Sequence, residues 1–240
     1  MAKRRQPQNK RIPFRYPSID GPQAQYIGES CLLFEKHDGS NLYFLWHQSE
    51  GWKEYGTRRY PLTPDHKLFG PAWTRFQEKY ADDILAIARQ HKEFRNAKEL
   101  IAFCEYFGKN TFAGLHAHGD TLDVKLFDVY LPNSGFVPPT DFRDHFGHLD
   151  IPKVHHEGPL TWELVLEVYN GKYPVGEGVV AKGQLLKRKR KGANEFEVWM
   201  AKFKTKSYLE ELQSRAGENP DLQSEYEEMQ EMHNQMLANK

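Results

Sequence analysis

Six consecutive residues, Lys36-His37-Asp38-Gly39-Ser40-Asn41, carry the strongest chemical signal in the 240-residue chain. The lysine closes a short apolar run, and a glycine three positions later permits a tight turn. That geometry presents an amine at the mouth of a cleft. A lysine ammonium is a poor nucleophile, and nearby cations or partial burial lower its pKa and free the lone pair. The expected chemistry is nucleophilic attack by Lys36, although a hairpin with a merely exposed lysine has the same string. Other chemistries are poorly served. His116 and His118 form one close pair and His155 and His156 another, but no carboxylate or cysteine set accompanies them at zinc-site spacing. The glycine-rich phosphate loop of ATPases is absent. The two cysteines, Cys31 and Cys104, lie in separate apolar runs, which fits buried thiols and neither a disulfide scaffold nor a cysteine zinc site.

The elements that must hold Lys36 are strands. CLLFEK at 31–36, a turn, and NLYFLW at 41–46 read as strand, tight turn, strand. TRRYPLTP at 57–64 is a strand end running into a proline-marked loop. Over 72–95, Trp73, Phe76, Tyr80, Ile84, Leu85, Ile87 and Ala88 recur at helical spacing. Further strands are expected at 97–108, at 124–132 with Pro132 as the stop, at 177–183 and at 196–204. A loop and short helix occupy 136–146, and a helix lies within 158–174 with Thr161 as its candidate cap. Strands and helices do not follow strict βαβ spacing, so the expected class is α+β with antiparallel sheets. Residues 1–24 read as a polar, loosely packed basic arm, 25–206 as the central domain, and 207–240 as an acidic helical extension interrupted by Pro220. In that extension Tyr226, Met229, Met232, Met236 and Leu237 fall on one side.

Charge totals hide an uneven distribution. The 33 basic and 33 acidic side chains cancel. Yet Lys3, Arg4, Arg5, Lys10, Arg11 and Arg15 precede any acid, residues 187–191 read KRKRK, and acids dominate after Glu210. Such basic runs are either solvated surface or phosphate contacts. With 39% hydrophobic and 28% charged residues, the composition suits a soluble globular protein. No run approaches membrane-spanning length, and no apolar segment follows the basic start, so the expected setting is cytoplasmic.

In order, KHDG at 36–39, FCEYFG with Glu105, LFDV with Phe127 and Asp128, EGVVAKG with Glu177, and MAKFKTK with Lys202 and Lys204 resemble the motifs of the covalent nucleotidyltransferases. That superfamily contains ATP-dependent polynucleotide ligases and mRNA capping enzymes, and the resemblance covers roughly residues 30–206. Glu35 before the lysine, Asn41 after the turn glycine, and Arg59 in TRRYP resemble the RNA-ligase branch typified by the phage RNA ligase 2 type. Asp38 stands where that branch often has histidine, and KxDG is shared with DNA ligases.

The resemblance implies a nucleotidyltransferase fold, lysyl–AMP formation on Lys36 from ATP with Mg²⁺ or Mn²⁺, and joining of 5′-phosphate to 3′-hydroxyl ends. It assigns Glu105 and Glu177 to the metal, or to orienting the ribose and the lysine. It assigns Phe127 to stacking on the purine. Lys202 and Lys204, two apart on one strand and so on one face, would reach the α-phosphate and the leaving pyrophosphate. Arg59 would clamp phosphate or ribose, with Arg58 as its rival; Asn41 would contact phosphate or the second end; Asp38 would position the lysine or a metal-bound water. RNA ends rank ahead of DNA as the partner, and a monomer ahead of a dimer. Only 36 residues follow Lys204, so no OB domain of the DNA-ligase or capping type is expected. A minimal DNA ligase and a weakly active RNA-binding relative are the alternatives.

Overall fold

The structure is a computed structural model and describes residues 14–109, 120–188 and 194–216. Two antiparallel sheets divide the strands. The first strands are β1 (Ser30–Lys36) and β2 (Ser40–His47), followed by β3 (Gly51–Thr57) and the two-residue β4 (Pro61–Leu62). A helical stretch comes next: α1 (Gly70–Phe76), one wider π turn (Gln77–Ala81), and α2 (Asp82–Gln90). The expected helix over 72–95 stops at Gln90, because His91 turns to extended backbone, and α3 (Lys92–Arg95) is a separate turn. Then follow β5 (Glu99–Phe107), β6 (Asp123–Leu131), β7 (Gly135–Phe136), α4 (Pro139–Phe146), β8 (Val154–Pro159) and α5 (Trp162–Tyr169). The described chain closes with β9 (Gly178–Arg188), β10 (Asn194–Lys204) and α6 (Lys206–Ala216). Thr161 caps α5, its hydroxyl accepting from the Leu164 N–H at 3.1 Å.

The four-stranded sheet has order β10-β9-β1-β8, and the six-stranded sheet β4-β3-β2-β5-β6-β7. β1 and β2, adjacent in sequence, therefore enter different sheets, and the turn at 37–39 crosses between them. Both strands are buried over four consecutive residues because both of their faces are covered, so their sequences read as apolar runs and not as alternation. One face of the six-stranded sheet packs Leu42 and Phe44 against Phe76, Tyr80 and Ile84 of the long helix. One face of the four-stranded sheet packs Leu33, Val179, Ala181 and Phe203 against Leu164, Val168 and Leu209 of α5 and α6. The cysteines are buried and free, as expected.

The lead-in is packed where it is described. Tyr16 is buried against Tyr43, Leu45 and Phe103, and Phe14 stacks on Tyr130 with ring centroids 3.9 Å apart. The Asp20 carbonyl accepts from the Lys202 N–H. The loose arm expected over 1–24 is thus corrected for residues 14–20, which bury aromatic surface. His116 and His118, the basic residues before Phe14, Lys189 to Lys191, and the apolar stripe after Pro220 lie outside the described residues. Among the described residues no helix is long and apolar enough to cross a membrane.

Candidate active site

Three strands bring the site together by register. On one side of β9, Lys36 pairs with Gly178; on the other, Lys204 pairs with Gly178. Lys36 and Lys204, 168 positions apart in the chain, thus flank the start of one strand. Glu177, immediately before that start, accepts from Lys36 Nζ at 2.7 Å with one oxygen and meets Lys204 Nζ at 2.9 Å with the other. Lys36 retains a quarter of its side-chain exposure, whereas Glu177 and Lys204 are sealed at 2% and 1%. Gly178 permits the close approach, since a Cβ there would lie 2.0 Å from the Phe203 carbonyl oxygen. The Thr205 N–H and hydroxyl hold the Glu177 and Gly176 carbonyls at 3.0 Å each and fix the carboxylate's base.

The turn after Lys36 has its own steric reason. A Cβ on Gly39 would stand 2.4 Å from the Tyr106 carbonyl oxygen and 3.0 Å from Phe107 Cβ. The turn can cross to the second sheet only because this residue has no side chain. Asn41 then enters β2 beside Glu105 of β5, its direct cross-strand partner.

Lys36, His37, Asn41, Glu105, Phe127 and Lys182 are among the residues lining a cavity between the sheets; Glu35, Arg58, Tyr16 and Ile19 complete much of its rim. A β-bulge shapes the Phe127 wall. Phe103 pairs with Asp128 but Cys104 with Leu126, so Phe127 is the extra residue. Before the bulge Val124 and Leu126 face the helical core, and after it Val129 and Leu131 do. The parity switch turns both Phe127 and Asp128 away from that core and toward the site. There Asp128 accepts from Lys182 at 2.8 Å and from the Tyr16 hydroxyl, and Lys182 also donates to the Phe127 carbonyl at 2.8 Å. Lys182 Nζ lies 5.5 Å from the centre of the Phe127 ring.

Burial and charge set the protonation states. Burial alone would pull the Lys36 pKa down, but Glu177, Glu105 and Asp38 outweigh it and hold it above the ordinary lysine range. The expected depression is therefore corrected, because three acids surround the amine. Burial pushes Glu105 up to about 8, with Glu177 and Asp38 adding to the rise and Lys36 and Arg58 opposing it. Burial, helped by Lys125, lowers His37, whose ring stacks on Phe107.

Solved structures share this fold. The RNA ligase of Naegleria gruberi with pyrophosphate superposes with a TM-score of 0.53 at 16% identity, over 80% of this chain and 54% of that one. A variant of the same ligase without ligand gives 0.54 at 16% identity, over 85% and 61%. Another variant, with ATP and manganese, gives 0.53 at 17%, over 80% and 54%. The chain has the RNA-ligase nucleotidyltransferase fold. It spans between 54% and 61% of the length of these ligases. No family model matches the chain, and no curated protein matches it in sequence.

Within this nucleotidyltransferase fold, several site residues differ from the sequence expectation. The arginine lining the cavity is Arg58, held by the Pro17 carbonyl at 3.1 Å; Arg59, expected there, is exposed and does not line it. Lys202 and Lys204 share the sheet face that carries Lys36, but Lys204 is engaged by Glu177 behind the lysine and neither forms a cavity wall. Asp38 acts on Lys36 and Glu105 through its charge, and also does not line the cavity.

The metal pair is divided: both Glu177 oxygens are occupied by ammonium groups, and of the two only Glu105 lines the cavity, which Glu35 also borders. Among the described residues no group of three or more His, Cys, Asp or Glu could hold a metal ion by itself. A divalent cation fits here only as Mg²⁺ and Mn²⁺ commonly bind, through one carboxylate plus phosphate oxygens and water. His155 and His156 are consecutive strand residues near the β1–β8 bulge, and no metal cluster includes them.

Lys182 and Tyr16 were missed as site residues. Lys182 stood in EGVVAKG, four residues beyond Gly178 and so on the same face. For Tyr16, nothing in its polar surroundings pointed to the cavity.

Proposed function

We propose that the protein is an ATP-dependent RNA ligase that carries AMP on Lys36. The observation behind this reading is the registered set of Lys36, Glu177 and Lys204 at the edge of a cavity walled by Phe127 and Glu105. The cavity offers an aromatic face for a purine and Arg58 and Lys36 for phosphate.

Lys36 loses its proton and its Nζ attacks the α-phosphorus of ATP; a P–N bond forms, the α–β P–O bond breaks, and pyrophosphate leaves. A 5′-phosphate oxygen of the nucleic acid then attacks the adenylyl phosphorus. The P–N bond breaks, Lys36 regains a proton, and an A(5′)pp end results. Finally a 3′-hydroxyl, losing its proton, attacks the end phosphorus and AMP departs. A divalent cation, when bound, supplies charge neutralisation for the phosphate oxygens. Glu177 orients the amine, Lys204 holds the Glu177 carboxylate in place, and Glu105 is a carboxylate positioned to meet a cation. RNA ends, over DNA, follow from the fold shared with RNA ligases and from the branch motifs.

The test is labelling with ATP carrying a labelled α-phosphate. An acid-labile, amine-linked AMP should map to the Lys36 peptide and be absent from folded Lys36→Ala. AMP on another lysine overturns the assignment, and labelling from GTP in preference to ATP turns the reading toward capping chemistry. Sealing of matched RNA, DNA and hybrid nicks then decides the substrate.

A further inference from the structure

The sheet face that carries Lys36 does not end at the cavity. β9 and β10 pair residue for residue over eleven positions without a bulge, so every second side chain keeps one face. From Val180 and Lys182 that face continues to Gln184 and Leu186 on β9, and from Met200 to Phe196 on β10. Leu186 and Phe196 are direct cross-strand partners. Both are exposed, at 51% and 62%, and among the described residues they are two of only four large hydrophobics so exposed. Beside them runs a second groove, bordered by Leu32, Pro139, Thr140, Lys182, Gln184 and Phe196. Lys182 lines both this groove and the cavity. Glu157 also borders it, but its carboxylate is paired with Arg143 at 2.6 Å. The β9 strand ends in Lys187 and Arg188, which begin the KRKRK run.

We infer that this groove and the Leu186–Phe196 pair form a docking track for a single strand of nucleic acid leading to Lys36, with Phe196 as the platform on which a base stacks. Charge selects the occupant. Five basic residues at 187–191 follow Leu186 in sequence and outnumber Glu195 and Glu197, the two acids on either side of Phe196. An apolar pair with that net positive charge fits a chain of alternating bases and phosphates better than an apolar protein surface. The inference rests on the ligase reading for what lies at the far end of the track. Gly178, abreast of Lys36, is eight residues from Leu186, roughly 26 Å at about 3.3 Å per residue. A strand must therefore extend several nucleotides beyond its reacting end to reach Phe196.

Affinities for a fluorescent 5′-phosphorylated RNA of about fifteen nucleotides and for a 5′-phosphorylated dinucleotide should be measured with wild type, Phe196→Ala and Phe196→Tyr across a salt titration. Phe196→Ala should weaken binding of the long strand by about five- to a hundredfold, the range for losing one stacked base. Phe196→Tyr should restore it, and neither change should alter dinucleotide binding or labelling of the protein by ATP. Both side chains are exposed, so the fold should persist, as a melting curve shows. Unchanged long-strand affinity in Phe196→Ala overturns the track. So does failure of wild type to bind the strand, or a fall in mass by light scattering with RNA affinity intact, which would make the pair a contact between copies. The two readings fail separately: a protein that takes no AMP on Lys36 but loses RNA with Phe196→Ala keeps the track and loses the ligase.

Discussion

Glu177 lies 2.7 Å from the amine of Lys36, and Lys204 lies 2.9 Å from the other oxygen of the same carboxylate. The ion pair favours the protonated form of Lys36, because burial of the amine is outweighed by Glu177, Glu105 and Asp38. Attack requires the free base. The single-turnover rate of adenylylation should therefore climb as pH rises through neutrality and beyond. Glu177→Gln removes the nearest acid, lowers the Lys36 pKa, and should move the climb to lower pH even where the maximal rate falls. Quench-flow labelling across a pH series checks both, and an unmoved profile in the variant separates Glu177 from the proton.

Glu105 gives a stability signature distinct from activity. Burial raises its carboxyl to about 8 from an ordinary value of 4.5. Its contribution is complete below the unfolded value and declines as pH rises toward the folded one, since the unfolded chain ionises first. Glu105→Gln is neutral throughout and escapes the decline. Measured against wild type, its unfolding free energy should rise between about pH 5 and pH 8 by a few kcal/mol at most, at about 1.4 kcal/mol per pH unit. Parallel pH curves for the two proteins rule out a buried, neutral Glu105.

Phe127 separates a stacking wall from a packed core ring. Phe127→Ala should raise the ATP concentration needed for adenylylation by about two- to tenfold, the worth of an aromatic stack beyond burial, while Phe127→Tyr stays near wild type. Equal ATP dependence in the folded alanine variant leaves the ring with a packing role alone.

The Lys182–Asp128 pair is buried at 2.8 Å, with the Tyr16 hydroxyl on the second carboxylate oxygen. Lys182→Met leaves Asp128 without its cation and should cost about 3–5 kcal/mol in denaturant unfolding. Lys182→Met with Asp128→Leu should recover most of that loss. Tyr16→Phe, removing one hydrogen bond to the carboxylate, should cost about 1.5–3 kcal/mol. If the double variant is no more stable than Lys182→Met, the two side chains are not energetically coupled.

Much of this molecule was legible in the residues. Apolar runs bounded by Gly, Pro and charge marked β1, β2, β5 and β6, helical spacing over 72–95 marked the helical segment that runs from Gly70 to Gln90, and Thr161 marked the start of α5, because these are short-range preferences. The order of the motif strings also predicted the fold found in the Naegleria gruberi ligase.

The tertiary structure decided the rest, because it depends on partners far away in the chain. Register alone sets Lys36 and Lys204 on either side of Gly178. A single bulge turns Phe127 and Asp128 to the cavity side, which alternation counted along the sequence does not show. Packing of residues 14–20 converts an apparent arm into a wall holding Tyr16, and with it Arg58 in place of Arg59 lines the cavity. The charge of Lys36 was misjudged from its neighbours in sequence. Its pKa is the balance of burial against carboxylates at positions 38, 105 and 177, and that balance exists only once the sheets bring them together.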